Sequence, residues 1–139
     1  MRVMVLVKAS KESEAGTLPS EALLTDMGRF NEELVKAGVM TAGEGLHPSA
    51  KGARVRFFAD KRAVLNGPFP ATQDLIAGFW LWKVDSLEEA IEWAKRCPNP
   101  TGSEGELEIR PLYEAEDFGA ELTPDLRAAE EHLRAQISR

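Results

Sequence analysis

A chain of 139 residues, 43% hydrophobic and 29% charged, is sized for a single core, and its composition excludes an intrinsically disordered chain. With 23 acidic against 17 basic residues the net charge is −6, which excludes the basic footprint of a nucleic-acid binder. The single cysteine, Cys97, excludes an internal disulfide, and no apolar run approaches the ~20 residues of a membrane span.

Residues 3–7 (Val-Met-Val-Leu-Val) form a compact run rich in β-branched side chains, the pattern of a central strand covered on both faces. The run is too short for a signal h-region and lacks a small-residue cleavage site, so it reads as a strand of the mature fold in a cytoplasmic protein. Residues 8–16 are polar and read as a loop. Pro19 and Glu21 then open a helix. Its Leu23, Met27, Phe30 and Leu34 make one apolar stripe, and Gly38 ends it. Residues 39–46 form a short strand interrupted by Gly43 and Gly45. A loop follows over 47–52. Val55 and Phe57 then alternate with Arg54, Arg56 and Phe58 in a strand, and residues 63–65 return as the second arm of a hairpin around an Asp60-Lys61-Arg62 turn. Asn66-Gly67-Pro68 is a strong turn signal.

Residues 76–84 give the clearest strand. Phe79 and Leu81 point one way, and Trp80, Trp82 and Val84 the other. Ser86-Leu87-Glu88-Glu89 is a capping box, and Ala90, Ile91, Trp93, Ala94 and Cys97 form the buried side of the helix it opens. Pro98 stops that helix. Cys97 sits at its negative pole, where thiol pKa rises, so a structural role is expected. Residues 106–112 form a last strand at a sheet edge. Thr123-Pro124-Asp125 begins a further helix with a narrow stripe of Leu126, Ala129, Leu133 and Ile137. Residues 1–112 therefore read as one domain and 113–139 as a C-terminal helical extension.

This order predicts an α+β fold of the ferredoxin-like βαββαβ plan with an added hairpin. Helices on one face of an antiparallel sheet leave the other face bare, with Phe79 or Trp80 on it. An apolar face of that size predicts a two-fold homodimer, packed sheet to sheet or edge to edge.

Several segments carry a resemblance. They are Ala37-Gly38-Val39, residues 42–46 (Ala-Gly-Glu-Gly-Leu), Asn66-Gly67-Pro68-Phe69, Gly78-Phe79-Trp80, residues 87–94, Cys97-Pro98 and residues 108–111 (Glu-Ile-Arg-Pro). Over residues 1–112 the chain resembles the DGPF branch of the YCII-related proteins. The resemblance implies a dimeric α/β-barrel of ferredoxin-like subunits, in small bacterial cytoplasmic proteins of mostly unassigned activity. Some relatives are encoded beside extracytoplasmic-function sigma factors, which implies a regulatory setting. For others a catalytic His–Asp pair is proposed. This chain departs from that pattern: the first helix has no histidine near Met27, and Asn66 stands where the motif has its aspartate.

The chemistry left to consider is sparse. Glu44 and His47 pair a carboxylate with a base that titrates near neutrality, either as a catalytic acid–base pair or as solvated surface groups. Asn66 either caps its own turn or hydrogen-bonds a ligand. Thr72 and Gln73 belong to a polar segment that the family places near the cleft. Arg56, with Arg54, either holds an anionic ligand or is solvated. Trp80, Trp82 and Trp93 form either an aromatic cage or core. The chain has no glycine-rich phosphate loop, metal-ligand spacing or nucleophile elbow, so neither cofactor nor metal is expected. The expected function is a homodimeric small-molecule-binding or regulatory module, with its cleft beside Glu44, His47 and Asn66 and with no nucleic-acid or membrane partner. The alternatives are a lyase- or hydrolase-type enzyme with His47 as general base, and an interaction partner in sigma-factor regulation that docks through the last helix.

Overall fold

Each βα unit of this chain alternates an apolar strand with a one-sided helix, and the register of the strands decides which side meets the helices. The computed structural model describes residues 1–70, 74–101 and 104–137. Its strands are β1 (Arg2–Lys8), β2 (Met40–Gly45), β3 (Ala53–Phe58), β4 (Lys61–Asn66), β5 (Ile76–Lys83) and β6 (Leu107–Pro111). Its helices are α1 (Lys11–Glu14), α2 (Glu21–Lys36), α3 (Leu87–Lys95) and α4 (Pro124–Ile137). Four strands form an antiparallel sheet in the order β2-β5-β1-β6, and β3 and β4 pair separately. With the hairpin set aside, this is the ferredoxin-like order. No helix among the described residues is long and apolar enough to cross a membrane.

Val3 lies opposite Trp82, and Val5 opposite both Trp80 and Ile109. Because side chains alternate along a strand, these residues share one face. That face is buried under Phe30 and Leu34 of α2 and Ala90 of α3. Full burial of each such side chain contributes roughly 1.5–3 kcal/mol. The tryptophans therefore take the covered side. Met4, Leu6, Phe79 and Leu81 are left half-buried on the open one.

Local chemistry sets the boundaries. The Ser20 hydroxyl accepts the Leu23 N–H at 3.1 Å and starts α2; Gly38, at φ +71, follows its end. The segment expected as a loop after β1 instead makes the short turn α1, because Ser10 and Ser13 cap one another at 2.8 and 3.1 Å. Ser86 caps α3 as expected. Glu89, however, reaches back to the Asp85 N–H at 2.7 Å, one residue earlier than a standard box. The hairpin turn also sits earlier than expected, at Ala59-Asp60, since Lys61 already pairs with Phe58 and Arg62 with Phe57. Cys97 is half-buried, and burial pushes its thiol up to about 11. The cause is desolvation.

Beyond β6, Arg2 holds the chain through a two-pronged bond to Glu114, at 2.8 and 3.0 Å. This hydrogen bond keeps the Glu114 carboxyl below its ordinary range. A carboxyl whose folded pKa is depressed stabilises the fold above its unfolded pKa, and that contribution disappears as pH falls through the folded value. The pair is more than a third exposed, so the contribution is small. Urea midpoints of wild type and Arg2→Gln should differ above roughly pH 4–5 and converge in acid.

Candidate ligand cavity

A cavity of ≈ 730 Å³ opens between the start of α2 and the adjoining ends of β1, β2 and β5. Its apolar wall includes Leu18, Leu23, Leu24, Met27, Met40 and Trp80. Lys8, Glu12, Asn31, Glu44 and His47 also border this space, with Glu44 opposite Phe79 and its side chain therefore on the open side of the sheet. The Trp80 indole is fixed by donating Nε1–H to Asn31 Oδ1 at 3.0 Å. Gly43 makes room for that ring, since a Cβ at position 43 would lie 2.7 Å from Trp80 Cδ1. A glycine in β2 thus lets an aromatic side chain form part of the cavity wall.

Glu44 and His47 both border the cavity. Pairing with β5 continues past β2 through the Leu46 N–H to the Ala77 carbonyl at 2.8 Å, and His47 is the next residue. Both side chains are exposed. Lys8, also at the cavity, has Glu108 3.7 Å away.

The other expected ligand-binding residues lie elsewhere. Arg56, opposite Ala63, and Asn66, opposite Ala53, are exposed on the separate hairpin and do not line the cavity. Arg54 stacks its guanidinium over the Phe69 ring, 4.0 Å from the centroid. Thr72 and Gln73 fall outside the described residues. Trp80, Trp82 and Phe30 pack as a tilted and edge-on core cluster, and only Trp80 borders the cavity.

The Asn66-Gly67-Pro68-Phe69 motif has a clear mechanical role. The Gly67 N–H donates to the Gly52 carbonyl at 3.0 Å, and the Phe69 N–H to Ser49 Oγ at 3.0 Å. Ser49 in turn donates its N–H and its hydroxyl to the Glu14 carboxylate, at 3.0 and 2.5 Å. One serine therefore ties the hairpin root and the His47 loop to the end of α1. Glu14 has no local sequence signal, because its partner is 35 residues away.

The family relationship follows from a match to the YCII-related domain over residues 1–116. The chain belongs to the YCII-related family. An uncharacterised protein of Rhizobium meliloti is 33% identical over 92 residues, covering 66% of this chain and 74% of that protein. Among solved structures, the chain is similar to 5-chloro-2-hydroxyhydroquinone dehydrochlorinase from Burkholderia phenoliruptrix, in complex with 2,5-dihydroxybenzoquinone. Identity there is 13%, with 86% of this chain and 100% of that chain covered and a TM-score of 0.49. In this YCII-related chain the cavity and the four-stranded sheet lie inside the matched residues, and α4 lies beyond them.

Proposed function

We propose that this YCII-related protein binds a small, largely apolar molecule in the cavity beside Glu44 and His47. The supporting observation is the cavity itself. Its ≈ 730 Å³ falls in the range of small-molecule sites, and its apolar wall with a few polar groups is the usual composition of such sites. Aliphatic and thioether side chains would supply contact area, while His47 and Lys8 at the cavity would select a polar substituent. The proposal includes a homodimer in which a second copy covers the open sheet face of Met4, Leu6, Phe79 and Leu81, and it includes the DGPF assignment and a cytoplasmic setting.

The fluorescent probe anilinonaphthalene sulfonate should bind the wild-type chain in this pocket. Leu24→Glu puts a charge on an exposed part of the apolar wall and should weaken that binding about tenfold or more. Equal probe affinity in the two proteins would remove the cavity reading.

A second reading is favoured by the placement of Glu44 and His47 at one cavity: an acid–base enzyme of lyase or hydrolase type with His47 as the base. His47→Ala should then cut turnover of an identified substrate about 100-fold or more while leaving probe binding in place. Unchanged turnover would leave the binding reading alone.

A further inference from the structure

The β3–β4 hairpin is unlike the rest of the chain. Residues 51–62 carry five cations, Lys51, Arg54, Arg56, Lys61 and Arg62, against one carboxylate, Asp60, in a chain of net charge −6. The remainder of the chain is therefore more acidic still. None of the five has a carboxylate within ion-pairing distance among the described residues. The hairpin is also bare. Val55 and Val64 face one another at 50% and 67% exposure, and Phe57 is 71% exposed under the Arg62 guanidinium. A two-stranded hairpin is marginal in water by itself, and exposed aromatics ringed by arginine have the composition of an interface.

A matching surface exists on the same chain. Tyr113 and Phe118 are 73% and 50% exposed and pack on one another with centroids 5.3 Å apart. Residues 113–121 around them hold four carboxylates and no cation; Glu114 and Glu116 are paired with Arg2 and Arg127, while Asp117 and Glu121 have no ion-pair partner among the described residues. The open sheet face matches less well, since Arg2, Lys83 and Arg110 lie on its register. We infer that the hairpin is an intersubunit arm, and that its face of Val55, Phe57, Arg62 and Val64 docks on the acidic Tyr113–Phe118 segment of a second copy. In a two-fold pair the exchange is reciprocal. The inference rests on the assembly of two copies proposed above, but not on what the cavity binds.

Sedimentation of the full chain tests it. Wild type should be a dimer that weakens as salt is raised. Arg62→Glu, on the Phe57 face, should weaken dimerisation about tenfold or more, and Glu121→Arg should do the same. Combining the two should restore much of the wild-type affinity, and Phe57→Ser should weaken association without changing the circular dichroism of the fold. A dimer indifferent to the hairpin changes overturns the arm while leaving the assembly standing, as does failure of the combined variant to recover. A wild-type chain that stays monomeric overturns both. Binding to phosphatidylserine vesicles or duplex DNA that is lost with the hairpin changes, while the dimer persists unaltered, assigns the hairpin to another partner and overturns the inference.

Discussion

Replacing Trp82 by alanine should destabilise the protein by about 3–5 kcal/mol, the range for large aromatic truncations in a core. Trp82 is fully buried at the centre of the sheet. It pairs with Val3 on β1 and Met40 on β2, and its ring lies 5.7 Å from Trp80 and 6.3 Å from Phe30. Its removal leaves a void between the helices and a sheet already held in register by hydrogen bonds, so the surroundings can collapse only in part. Against a typical stability of roughly 5–15 kcal/mol, such a loss brings the chain close to unfolding. Trp82→Phe should cost much less than the alanine change. The Trp82 indole N–H is buried without a hydrogen-bond partner among the described residues, so phenylalanine gives up some area but also removes an unpaired donor. Urea unfolding followed by circular dichroism measures both. Equal losses for the two variants would overturn the account of Trp82 as a packing residue.

Much of the fold can be read from the sequence because strand alternation and helix stripes are local. The stripe of Leu23, Met27, Phe30 and Leu34 and the alternation of residues 76–84 place α2 and β5 directly. What alternation cannot say is which side of β5 the helices cover, since Phe79 and Leu81 are as apolar as the tryptophans opposite them. Register with β1 and the packing of Phe30 decide it. The capping exchange of Ser10 with Ser13 also turned an apparent loop into α1, through two short-range bonds between residues whose type suits a loop equally well.

The site was less legible. Glu44 and His47 were visible as a close pair, and both border the cavity. The opposite wall was not: Lys8, Glu12 and Leu18 come from a segment with no periodicity, and only the return of α2 over β1 brings them together. Arg56 and Asn66 were attractive for their chemistry, but they sit on a hairpin that pairs only as its own sheet. Glu14 gave no signal at all, because its bond to Ser49 exists only after the long-range fold has formed.

Gly67→Ala should open the junction that joins these pieces. A Cβ at position 67 would lie 1.7 Å from the Ser49 carbonyl oxygen and 2.6 Å from its carbon. Those are backbone atoms, and no rotamer change can move them aside. The hairpin root must back away from the 49–52 turn, which stretches the Gly67 N–H to Gly52 carbonyl bond and the Phe69 N–H to Ser49 Oγ bond. Each lost bond costs about 1 kcal/mol, and overpacking adds roughly 1–3 kcal/mol, so a loss of about 3–5 kcal/mol in local stability is expected. Hydrogen exchange should report it as lost protection at the Phe69 amide. Asn66→Ala, at the exposed neighbouring position, should stay within about 0.5 kcal/mol of wild type. The displacement should also propagate. Ser49 is tied to Glu14 and lies two residues from His47, so Gly67→Ala should shift the amide resonances of residues 46–52 and lower probe affinity in the cavity. A Gly67→Ala protein with full Phe69 protection and an unmoved His47 loop would mean that the motif does not hold the cavity in shape.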